Sequence, residues 1–125
     1  MRTQSTILCV DDEELALYLR KRVLQGAGYA VFTATNATNA LEIFRAQRID
    51  LVITDNLLGI TSHALAAELR HLSPHLPIMV LSGGTTLPAA VAPPDYCVHK
   101  LEGPTEMIAR VRHAIARSQG HKGEG

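Results

Sequence analysis

Asp11, Asp12, Asp55, Ser82 and Lys100 are the residues of this chain whose types could do chemistry together. Three carboxylates brought close repel one another and raise one another's pKa unless a cation is bound. Hard oxygen donors favour Mg2+ (or Mn2+), which keeps coordination positions for water and a phosphate oxygen. Phosphoryl transfer then asks for an in-line nucleophile, positive charge on the equatorial oxygens and a hydrogen-bond donor. Asp55 suits the nucleophile, Lys100 the point charge and Ser82 the donor.

What must position them is a set of strands, because each of the five residues stands at or just past the end of a short apolar run. Thr6-Ile-Leu-Cys-Val10 ends on Asp11-Asp12-Glu13-Glu14. Residues 49–54, mostly apolar and β-branched, deliver Asp55 ahead of the turn-compatible Asn56 and Gly59. Residues 77–82 are almost wholly apolar, read as a central strand and end on Ser82. Residues 95–99 make a short fifth strand before Lys100, and residues 29–34 make the second.

Helical patterns fill the gaps. Over residues 14 to 25, Leu15, Leu19 and Val23 recur at i, i+4 and i+8 with Ala16 beside them, which predicts the inward face. Acids lead that helix, bases follow, and Gly26 and Gly28 stop it. Asn36 or Thr38 can cap a second helix that turns Ala37, Ala40, Leu41 and Phe44 inward. A third, over residues 62–72, carries Leu65, Leu69 and Leu72 on one side and ends before Pro74. A last one, over residues 104–117, presents Met107, Ile108, Val111, Ala114 and Ile115. Residues 83–94 hold two leading glycines and three prolines, so a fourth helix there is short or irregular. Residues 119–125 are polar and glycine-rich, an expected disordered tail behind a domain spanning residues 1–118. The alternation predicts an α/β fold: a doubly wound, five-stranded parallel sheet with helices on both faces. In such a sheet the carboxyl ends of the strands share one edge, where ligands bind.

Composition narrows the classes. At 125 residues, 46% apolar and 19% charged, the chain is one domain with a core of its own. Twelve basic residues balance twelve acidic ones, which argues against general affinity for nucleic acid or an anionic membrane. No apolar run approaches the ~20 residues of a membrane span, and the first six residues do not make a signal peptide. A cytoplasmic location is expected. Cys9 and Cys97 sit in apolar runs outside any Cys-x-x-Cys and read as two buried thiols. His71 and His75 have metal-ligand spacing, but Pro74 lies between them and no third ligand stands near, so they read as surface residues.

In order and in strand-end placement, the five residues resemble those of a response regulator receiver domain of two-component signalling, over residues 6–118. Asp11-Asp12 resembles that family's acidic pair, Asp55 its phospho-acceptor, Ser82 its switch hydroxyl and Lys100 its lysine. The resemblance implies a flavodoxin-like (βα)5 fold with strand order 2-1-3-4-5. It implies Mg2+ held by Asp12, Asp55 and the backbone carbonyl of Leu57, with Asp11 acting through water. It further implies phosphoryl transfer to Asp55 from a sensor histidine kinase or a histidine phosphotransfer protein, and an output protein as partner. Homodimers are possible in such a family. Such a module is not an enzyme beyond its own aspartyl phosphorylation and dephosphorylation.

The departures fall on the switch. Leu58-Gly59 and His63 stand where the family has Met-Pro and a later glycine. Lys100-Leu101 replaces the family's Lys-Pro, and a cis bond before leucine would cost ~2.5–4 kcal/mol. The switch aromatic is replaced by Cys97, with Tyr96 one place away, and the spacing from Ser82 to Lys100 is short. The alternative is therefore a degenerate receiver that docks partners without phosphorylation. A flavodoxin-like binding protein or an aspartyl phosphatase ranks below both. No glycine-rich phosphate loop follows the first strand, and Leu57 stands where such a phosphatase needs an acid.

Overall fold

The computed structural model describes the backbone of residues 4–55, 60–82, 96–99 and 103–124, and the side chains of 4–54, 64–81 and 103–117. Its centre is the run of apolar, β-rich residues in β1 (Thr6–Val10), four of which are completely buried. In chain order there follow α1 (Glu14–Gly26), β2 (Ala30–Ala34), α2 (Ala37–Ala46), β3 (Leu51–Asp55) and α3 (Ile60–Leu72). Then come β4 (Ile78–Ser82), β5 (Tyr96–His99) and α4 (Pro104–Glu124). The strands form one parallel sheet in the order β2-β1-β3-β4-β5, which is the order that the resemblance implies.

Strand side chains alternate between the faces, so the sheet divides two cores. Ile7, Cys9, Leu51, Ile53, Met79 and Leu81 face α1 and α4, meeting Leu17, Leu24, Val111, Ala114 and Ile115. Leu8, Val10, Val52 and Ile78 face α2 and α3, meeting Ala40, Leu65 and Leu69. Each large side chain buried in this way contributes roughly 1.5–3 kcal/mol.

Local chemistry sets the helix ends. Asn36 caps α2 by accepting the Asn39 N–H on Oδ1 at 2.8 Å. Gly28, at φ 101°, takes the left-handed conformation that lets the Tyr29 N–H return to Leu24 O at 3.1 Å and close α1. Arg70 Nη1 donates to Leu76 O at 3.2 Å, tying the end of α3 to the approach of β4.

Three expectations are corrected. The buried stripe of α1 is Leu17 and Leu24, while Leu15 is 64% and Leu19 54% exposed. The helix offers two apolar stripes about 150° apart, and the sparser one, with Arg20 along it, is the one turned toward the sheet. Leu72, expected inward on α3, is 41% exposed, one turn beyond buried Leu69. The last helix continues past Arg117 to Glu124, so the stretch read as a disordered tail is helical backbone through that residue. A single glycine costs a helix only about 1 kcal/mol, and no proline stands in this stretch to stop it.

Residues 83–94, Leu57 and Lys100 with Leu101 lie outside the described residues, and so does the Lys100–Leu101 bond. Among the described residues there is no cis peptide bond. Cys9 is buried and free. Three strand spacings of ~4.8 Å separate β1 from β5, or about 14 Å. That exceeds the ~7 Å a disulfide tolerates between Cα atoms, so Cys9 and Cys97 are not bridged.

Candidate functional site

The strand register brings the sequence-predicted residues to one edge. Val10 pairs with Thr54, so Asp11 follows β1 where Asp55 closes β3. Asp55 in turn pairs with Leu81, and Ser82 with His99. The backbone positions of Asp11, Asp12, Asp55 and Ser82 thus share the carboxyl edge of the sheet, and Lys100 follows directly on His99. The side chains of Asp55, Ser82, Tyr96 and Cys97 lie outside the described residues, as do Lys100 and the Leu57 carbonyl.

The acidic pair is divided in character. Asp11 is 1% exposed, whereas Asp12 faces solvent. The Asp11 N–H donates to Ala34 O at 3.1 Å, extending the β1–β2 ladder by one residue and fixing the backbone there. Asp11 Oδ1 accepts the Glu13 N–H at 2.9 Å, an Asx-type turn that starts the climb into α1. Glu13, at the N-cap position, makes no side-chain cap of its own, so Asp11 serves the helix as well as the edge.

Arg20 is the residue that the sequence reading missed. Its side chain is 10% exposed, and Nη1 lies 3.5 Å from Asp11 Oδ2. That nitrogen makes no hydrogen bond of acceptable geometry, so the contact is one of charge rather than a clamped fork. The signal was present: Arg20 lies three residues after Leu17 and four before Leu24, on the stripe that the sheet buries. Beneath the pair, burial pushes the Cys9 thiol up to about 12, with Arg20 opposing the shift and Asp11 adding to it. Thr54, next to Asp55, is 1% exposed, and its Oγ1 has no hydrogen-bond partner among the described residues.

The donors that are described are carboxylate oxygens alone, which is what a hard divalent cation takes and what a softer metal would not select. Among the described residues no group of three or more His, Cys, Asp or Glu converges. A third carboxylate would have to come from Asp55. The described residues also contain no helix long and apolar enough to cross a membrane.

Comparison with known proteins agrees with this geometry. The family model of the response regulator receiver domain matches residues 7–112. The transcriptional regulatory protein YvrH of Bacillus subtilis is 31% identical over 124 residues, covering 94% of this chain and 52% of the relative. The autoinducer 1 sensor kinase/phosphatase LuxN of Vibrio harveyi is 35% identical over 79 residues, 62% of this chain and 9% of LuxN. The crystal structure of the response regulator protein TrrA from Thermotoga maritima, in complex with Mg2+-BeF, superposes with a TM-score of 0.80 at 31% identity. That match covers 89% of this chain and 99% of TrrA. The chain therefore spans about half the length of YvrH and about a tenth of LuxN.

Proposed function

Because the chain belongs to the response regulator receiver domain family, we propose that it takes a phosphoryl group on Asp55 from a kinase phosphohistidine within a two-component phosphorelay. The observation that carries the proposal is the register Val10–Thr54, which sets the Asp11-Asp12 pair level with Asp55 on the ligand-binding edge.

An Asp55 carboxylate oxygen forms the new O–P bond as the P–N bond to the donor imidazole breaks. The electron pair returns to the imidazole nitrogen. The Lys100 ammonium supplies a point charge to the phosphoryl oxygens and the Ser82 hydroxyl donates a hydrogen bond to one of them. Asp12, Asp55 and the carbonyl of Leu57 would hold Mg2+ or Mn2+, with Asp11 acting through water. When bound, that ion offsets the repulsion among the carboxylates and the charge on the transferred group. Ser82 with Tyr96 or Cys97 then reports the new charge to an output partner. The donor is a sensor histidine kinase or a histidine phosphotransfer protein, and the module works without direct nucleic-acid contact. It is not an enzyme for an external substrate: it promotes only its own phosphorylation and hydrolysis. We place it in the cytoplasm, where such donors present their phosphohistidine.

One observation favours a second reading. Arg20 sets a positive charge 3.5 Å from Asp11 Oδ2, which would suit a receiver that docks partners without phosphorylation. Beryllofluoride separates the two. A phospho-acceptor binds it in the presence of Mg2+ with amide shifts around Asp55, and a docking-only receiver gives the same amide spectrum with and without it.

A further inference from the structure

Arg20 occupies a position that a charged side chain seldom takes, on the buried stripe of α1 between Leu17 and Leu24. Buried ion pairs hold their place through several well-aligned hydrogen bonds. Among the described residues Arg20 Nη1 approaches Asp11 Oδ2 at 3.5 Å and makes no hydrogen bond. The guanidinium is thus held near the acidic edge by its helix and by charge, while its hydrogen-bonding capacity at Nη1 is unused. Asp11 is also a carboxylate that the divalent ion would draw on through water. Two cations converge on one carboxylate.

Resting on the phospho-acceptor reading, we propose that Arg20 is a resident counter-ion of the acidic edge, pairing with Asp11 in the metal-free protein and weakening divalent-cation binding. Three physical consequences follow. Without a metal, Arg20 offsets part of the repulsion that would otherwise strain the cluster of carboxylates. Were a divalent ion held there, the buried Arg20 charge beside Asp11 would oppose it. Were Asp11 engaged by that ion, the unclamped guanidinium would shift off Oδ2, and because Arg20 belongs to α1 the helix would sense whether the site is filled. Arg20 is here a positioning residue. It acts on the ion through Asp11 and not on the phosphoryl group.

The test uses Mg2+ alone as the probe, on the full chain and on Arg20→Met and Arg20→Lys, with affinity read by calorimetric titration. Arg20→Met, which keeps the length and loses the charge, is expected to bind Mg2+ about tenfold more tightly. Its melting temperature falls below wild type without metal and rises further than wild type does on saturation. Arg20→Lys, which keeps the charge, stays within about threefold of wild-type affinity. In the wild-type protein the Arg20 Nε–Hε resonance shifts on Mg2+ saturation, a readout that stands even if Arg20→Met fails to fold. Equal affinities for wild type and Arg20→Met, or an Arg20 resonance unmoved by Mg2+, overturn the proposal and leave the acceptor reading intact. Absence of Mg2+ binding to either protein overturns both.

Discussion

Asp50 and Thr6 grip each other twice: Asp50 Oδ2 accepts the Thr6 N–H at 2.8 Å, and the Asp50 N–H donates to Thr6 O at 2.8 Å. The clamp sits at the amino ends of β1 and β3, opposite the edge that carries Asp11 and Asp55. A slip of one residue would turn every side chain to the other face. Asp50, buried at 6% exposure, therefore helps set which residues meet at the far end.

Asp50→Ala should lower stability by about 1.5–3 kcal/mol, the range for a hydrogen bond to a charged group whose partner is then left buried. Urea denaturation checks it. Asp50→Asn, which can still accept from Thr6 N–H, should lose less than half as much. Equal losses would mean that the charge alone matters.

The packing of α1 makes a second prediction. Leu17 and Leu24 are buried while Leu15 and Leu19 are exposed, so Leu17→Ala or Leu24→Ala should cost about 2–5 kcal/mol. Leu15→Ala or Leu19→Ala should stay within about 0.5 kcal/mol. The reverse ranking would restore the face that spacing alone suggests.

Thr54 carries a buried hydroxyl without a hydrogen-bond partner among the described residues. Thr54→Val keeps the shape and removes the orphaned group, so stability should rise by about 1 kcal/mol, read as a higher midpoint at unchanged m-value. A loss of similar size would show that the hydroxyl has a partner.

The Cys9 thiol makes stability fall in base. Its value moves from 9.0 to about 12, chiefly by burial, with Arg20 lowering it and Asp11 raising it. Below pH 9 both folded and unfolded thiols are protonated and the contribution is fully present. Between about pH 9 and 12 the unfolded thiol ionises while the folded one does not, so stability declines by up to ~1.4 kcal/mol per pH unit. Cys9→Ala should show a shallower decline over that range in parallel urea titrations, and identical slopes would refute the assignment.

The strands were legible because each apolar run is bounded by turn residues or acids, and a fully buried parallel sheet writes itself as such runs; their order came from the resemblance to receiver domains. Asp11, Asp12 and Asp55 were legible for the same reason, as carboxylates abutting those runs. Arg20 was not. The spacing of Leu15, Leu19 and Val23 competed with that of Leu17 and Leu24, and only the docking of α1 on the sheet decides between two stripes on one helix. Asp50 was also hidden, because its partner is 44 residues away on another strand. The helical run beyond Arg117 was obscured by glycines, which weaken a helix without ending it.

Intact-mass spectrometry after incubation with acetyl phosphate and Mg2+ shows whether Asp55 is the acceptor. One added phosphoryl group is expected on the wild-type chain, lost when Mg2+ is chelated and absent from a folded Asp55→Asn variant. An unchanged wild-type mass, or an Asp55→Asn variant labelled as fully as wild type, would contradict it.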